Sequence, residues 1–172
     1  MHVAMYKAPG QIGNKLIKWW DGSYSHGEFV YYEKETKTSW GLSSSMRDGG
    51  VRAKKIIFKK ENWDFVDITC LGVDGLDAFQ KTKERQGIVK YDYLGISGFV
   101  ARPIKEDPDK MFCTEWLSWL LGWTQPWRHG PSAFTARLVD EVNRANGNKN
   151  LSLDAKGFLL NSAGILLPEY AV

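Results

Sequence analysis

The chain predicts an α+β fold: a small curled antiparallel sheet, or a barrel, packed against helices. Three observations predict it. Short β-type runs follow one another through the first half, separated by polar turns. Helical apolar runs lie around and after those strands rather than alternating with each of them. No repeat and no low-complexity linker divides the 172 residues, a length suited to one domain with a real core.

Residues 3–6 read as a short strand. Residues 14–20 place Leu16, Ile17 and Trp20 on one helical face. Residues 27–33 are rich in β-formers, and 38–44 can pair with them across the polar turn 34–37. Two more strands, 51–58 and 63–69, flank the polar turn Lys59-Lys60-Glu61-Asn62. Residues 76–86 predict a helix that stops at Gly87, a suitable left-handed terminator. Residues 111–121 carry Cys113, Trp116, Leu117, Leu120 and Leu121 at helical spacing. Ser132 is a credible cap for a helix with Phe134, Leu138 and Val142 inward, closed at Gly147. The organisation expected is a domain over 1–147 and a tail over 148–172 suited to docking a partner. The tail joins a polar turn to the apolar clusters Phe158-Leu159-Leu160 and Ile165-Leu166-Leu167, with no element assigned.

Composition narrows the function. The net charge is +3 and evenly spread, which argues against a nucleic-acid partner. An apolar fraction of 43% with 25% charged residues is that of a globular protein, not a disordered chain. The excess lies in aromatics, eight Trp, eight Phe and seven Tyr, which demand a large core or an apolar surface that meets a partner. Two Cys and three His give neither a disulfide framework nor a closed zinc site. No cofactor motif is present, neither a phosphate loop nor a dinucleotide glycine fingerprint. The N-terminus lacks the pattern of a signal peptide, and the apolar stretch 116–123 is too short to span a bilayer. The expectation is a protein without a membrane span or an export signal of its own.

Cys113 opens a predicted helix. Free amides and the dipole at a helix start favour an anion, which makes a thiol there a better nucleophile and offers donors to an oxyanion. On position alone the ordinary alternative takes precedence, a buried small hydrophobe sharing a face with Leu117 and Leu120. Cys70 ends a strand and reads as core. A thiol needs a base, and His26 opens a predicted strand with Glu28 two residues along, on the same face. Ser44 or Asp48 could also lie beside His26 if 38–44 pairs with its strand. Arg52, Lys54, Lys55, Lys59 and Lys60 read as a solvated strand face.

Four segments now combine: Tyr24-Ser25-His26-Gly27-Glu28-Phe29-Val30, Ser43-Ser44-Ser45-Met46-Arg47-Asp48-Gly49-Gly50-Val51-Arg52, Lys90-Tyr91-Asp92-Tyr93-Leu94-Gly95 and Phe112-Cys113-Thr114-Glu115-Trp116. In this order and spacing they resemble a bacteriophage branch of the NlpC-like, circularly permuted papain-fold cysteine hydrolases, in which His precedes Cys. The resemblance covers about residues 1 to 145. It implies a curled sheet or barrel carrying the His, packed on a helix that starts at the Cys. It implies a thiol amidase or peptidase with Cys113 as nucleophile, His26 as general base and then acid, and Glu28, or its rival Ser44, orienting the imidazole. It implies no cofactor, an amide substrate such as a cell-wall (peptidoglycan-type) peptide, and a place in a phage virion or the host cytoplasm. The alternative is a structural protein of the particle that keeps the fold and contacts other virion proteins or itself. Two positions depart from the family pattern: Gly27 stands where a branched aliphatic residue is usual and would loosen the strand, and Thr114 stands for Ser.

Overall fold

A computed structural model describes residues 1–8, 22–93, 107, 109–124, 129–147 and 151–160. The strands, in chain order, are β1 (His2–Tyr6), β2 (His26–Glu33), β3 (Thr38–Ser45), β4 (Gly50–Lys55), β5 (Trp63–Asp67), β6 (Lys90–Tyr91), β7 (Lys110–Met111), β8 (Ser152–Leu153) and β9 (Leu159–Leu160). The helices are α1 (Gly75–Arg85), α2 (Cys113–Leu120) and α3 (Pro131–Ala145). The expected helix over 14–20 lies outside the described residues, as does the tail from 161 onward.

The fold is α+β. Seven strands form one sheet in the order β5-β1-β2-β3-β4-β6-β7, and β8 and β9 form a separate hairpin. The sheet is open, not a barrel. Its ladder thins along one side, where β4 meets β6 through the single pair Gly50 and Lys90 and β6 runs parallel to β7. Two-residue strands supply too little ladder to bring that edge round to β5, which closure would require.

Strand alternation divides the apolar side chains between two faces. On one face Val3, Met5, Phe29, Leu42 and Ala53 join Leu117 of α2 and Leu138 of α3 in the main core. On the other, Ala4, Val30, Phe58 and Phe65 form a smaller cluster with Ile56 and Trp63 beside it. The aromatic excess is largely consumed here: Tyr24, Phe29, Phe58, Phe112, Trp116 and Phe134 are all fully buried.

Residues 151–160 belong to the packed body. Leu159 is buried in the main core, with Leu151, Leu153 and Phe158 against it. The Leu159 amide donates to the Tyr24 hydroxyl at 2.8 Å, and that hydroxyl donates to Asp64 at 2.6 Å. Burial first, then this bond to Asp64, pushes the Tyr24 phenol well above its ordinary pKa, so it stays neutral.

Two readings of the sequence are corrected. Cys70 is exposed, not core. β5 ends at Asp67, whose carboxylate accepts the Thr69 amide at 2.9 Å, and the chain turns through the short helix Thr69–Leu71 instead of continuing as a strand. Arg52 is buried, not part of a solvated face, although Lys54 and Lys55 on the same strand are exposed.

Candidate active site

α2 begins at Cys113. The chain enters it from β7 through Phe112, whose amide donates to the Glu115 carboxylate at 2.8 Å. That bond satisfies one orphan donor of the helix start and fixes the first turn. The helix then lies over β2. A Cβ at Gly27 would stand 2.7 Å from Leu117 Cδ1 and 3.1 Å from Met5 Sδ. Gly27 thus serves the packing of the helix on this strand. Its missing side chain is what lets α2 approach, and with α2 its first residue, Cys113.

His26 is the first residue of β2 and pairs with Tyr6 of β1. Its ring lies edge-on to Trp63, with centroids 6.4 Å apart. Nε2 lies 2.7 Å from Glu28 Oε1, as the two-residue strand period requires. The Cys113 side chain lies near enough to the same ring to favour its charged form. With Nε2 engaged by Glu28, Nδ1 is the ring nitrogen that this bond leaves open. Burial opposes charge on this imidazole, but Glu28, followed by the bond to Cys113, outweighs it and raises His26 to about 9.

Glu28 is almost wholly buried, at 1% exposure, and would be costly as a lone anion. Burial pushes its carboxyl up, yet Arg52 above all, and His26 next, bring it down to about 2. Arg52 grips Glu28 with both terminal nitrogens, one to Oε2 at 2.7 Å and the other to Oε1, the oxygen that His26 also meets. Arg52 Nε donates to Asp48 at 3.0 Å. This grip spans β3. Arg52 pairs with Ser43 in the ladder, and a Cβ at Gly41 would stand 2.8 Å from Glu28 Oε2. Small residues at 41 and 43 leave the space through which Arg52 reaches β2.

Ser44 is not part of this chain of contacts. It is fully buried and donates to the Met111 carbonyl at 2.5 Å, tying β3 to the strand that leads into α2. Thr114 likewise donates to the His129 carbonyl, holding the approach to α3 against α2.

A cleft of about 370 Å³ opens beside the pair. His26, Glu28, Arg52, Asp48, Tyr91 and Trp63 line it, with Arg47 and Met46 from the β3–β4 turn. Cys113 is 4% exposed and packs with Phe112 and with Tyr91, a residue of this lining. Burial above all pushes the Tyr91 phenol well above its ordinary pKa, so its hydroxyl remains a donor. Sequence reasoning passed over Arg52. The available signal was its register: an arginine one strand beyond Gly41 and Ser43, in line with the His26 and Glu28 face.

No family model matches the chain, and neither the curated proteins nor the solved structures compared with it contain a match.

Proposed function

We propose that this chain is a cysteine hydrolase that cleaves an amide bond by way of an acyl-enzyme. The observation that carries the reading is a His26 ring bonded to Glu28 at 2.7 Å and near enough to Cys113, the first residue of a helix, for that side chain to favour its charged form. His26, raised to about 9, keeps the proton it takes from the thiol, and the thiolate sulfur adds to the carbonyl carbon. The amides of Cys113 and Thr114 at the start of α2 and the neutral Tyr91 hydroxyl supply donors for the oxyanion. The imidazolium then protonates the departing amine as the C–N bond breaks. Water, deprotonated by His26, attacks the thioester, releases the acid and returns the thiol. The resemblance adds a cell-wall peptide as the substrate class and a phage particle or the infected cytoplasm as the setting.

A second reading is favoured by one observation, the burial of Cys113. In it the chain is a structural protein of a phage particle that retains the fold without turnover.

One experiment separates the two. In a Cys70→Ala background, because Cys70 is exposed, the protein is treated with iodoacetamide and assayed on cell-wall material and small amide substrates. The hydrolase reading expects rapid alkylation at Cys113, slowed at least tenfold by His26→Ala, and amide cleavage that Cys113→Ala reduces by several orders of magnitude. A Cys113 that reacts only in denaturant, with no cleavage above the Cys113→Ala background, selects the structural reading.

A further inference from the structure

Arg52 is the unusual member of the cluster. An imidazole can be oriented by a carboxylate alone, yet here the carboxylate is clamped from behind by a buried guanidinium that shares the very oxygen facing the ring.

We propose that Arg52 is a positioning residue that acts on His26 through Glu28, keeping the carboxylate a fixed anion while offsetting its charge, so that the imidazole can release its proton. This rests on the hydrolase reading for its use in turnover, but its electrostatic content stands without that reading.

The argument is one of charge counting in a dry place. Glu28 is 1% and Arg52 7% exposed, so the attraction between them is weakly screened. With Arg52 present, a neutral His26 leaves Glu28 and Arg52 as a balanced pair. Without Arg52, the same proton loss strands a net buried anion, which the site resists. Glu28 and His26 bind protons as one coupled unit, and removing a cation from their side makes the last proton harder to lose, whichever of the two carries it. The other groups around the ring do not duplicate this service. Cys113 and Tyr91 approach from α2 and β6 as acids, and Tyr6 on β1 is another phenol. Asp48 holds Arg52 from beyond, with Lys54 on its second oxygen at 2.9 Å. Arg47 lies on the turn at the cleft margin. Among the described residues, Glu28 alone has a direct bond from Arg52 and a direct bond to the ring.

A purely structural clamp differs in what it predicts. Losing it would weaken the fold without moving the titration of the ring. The test is NMR titration of the ring-labelled histidines in the full chain, comparing wild type, Arg52→Lys and Arg52→Gln, with each variant's fold verified by circular dichroism. In Arg52→Gln the His26 midpoint is expected to rise by about one pH unit, the order for one charge a few ångströms away. In Arg52→Lys, which keeps the charge, it stays within a few tenths. His2 and His129 serve as internal controls and hold still. An unchanged or lowered His26 midpoint in a folded Arg52→Gln protein overturns the proposal, as does an equal rise in Arg52→Lys. Should Arg52→Gln unfold, Asp48→Asn tests the same linkage. It leaves Arg52 fully committed to Glu28, so the midpoint falls, and no movement overturns the proposal. The readout is independent of cleavage: an inert protein in which these shifts occur refutes only the hydrolase reading, and an active one in which they do not refutes only the role of Arg52.

Discussion

Replacing Gly27 tests how the site is assembled. A Cβ there would lie 2.7 Å from Leu117 Cδ1 and 3.1 to 3.3 Å from the end of the Met5 side chain. Carbon atoms rest at about 3.5–4.0 Å, so alanine intrudes on Leu117 by about 1 Å. Met5 is flexible and can give way. Leu117 is fully buried on α2 and has little room to change rotamer. Overpacking of this size costs about 1–3 kcal/mol, partly offset by about 0.5–1 kcal/mol from losing glycine's freedom in the unfolded chain. Gly27→Ala should therefore destabilise by about 1–2 kcal/mol, and Gly27→Val by more. Leu117→Ala alone should cost about 2–5 kcal/mol through its cavity. The double variant should be more stable than the sum predicts by about 1 kcal/mol or more, because the new methyl enters the space that Leu117 vacates. Urea denaturation of the four proteins measures the coupling, and iodoacetamide reactivity reports whether Cys113 has left His26. Additive effects within about 0.5 kcal/mol, or a Gly27→Val protein as stable as wild type, would refute the claim that this glycine sets the approach of α2.

Further outcomes follow from the buried charges and the C-terminal hairpin. His26 is raised to about 9 from an ordinary 6.5, so its contribution to stability is whole below about pH 6.5 and is lost as the pH climbs through 9. Glu28 is lowered to about 2 from 4.5, so its contribution is whole above about pH 4.5 and is lost as the pH falls through 2. Wild type should lose on the order of 3 kcal/mol between pH 6 and 10 that His26→Gln does not lose; urea midpoints at the two pH values measure this, and parallel losses in both proteins contradict it. Tyr24→Phe removes an acceptor from the Leu159 amide and a donor from Asp64. It should cost about 1–3 kcal/mol and speed hydrogen exchange at Leu159, and unaltered exchange there would show that the hairpin is held by its apolar contacts alone.

Much of the site was legible because strand and helix periods are local. The two-residue period placed Glu28 beside His26, and the 2.7 Å contact follows from it. The stop before a helical apolar run placed Cys113 at a helix start, and α2 begins there. What was not legible depended on neighbours remote in the chain. Arg52 stands among lysines and looks like them, and only the register of β4 on β3 and the small residues at 41 and 43 turn it inward. Ser44 could be placed near His26 by pairing, yet its hydroxyl is drawn to the Met111 carbonyl by a strand 67 residues away. Cys70 followed a strand pattern that a single carboxylate, Asp67, cut short.

By itself, then, the sequence determined the kinds of element, their order, and the positions of His26 and Cys113 each at the start of its own element, because backbone propensity and side-chain period act over a few residues. The tertiary structure alone decided that the sheet stays open, that residues 151–160 are built into the body through Tyr24, and that a guanidinium stands behind Glu28. Those outcomes turn on which atoms must share a space from which water is excluded, and that is settled only when distant segments pack.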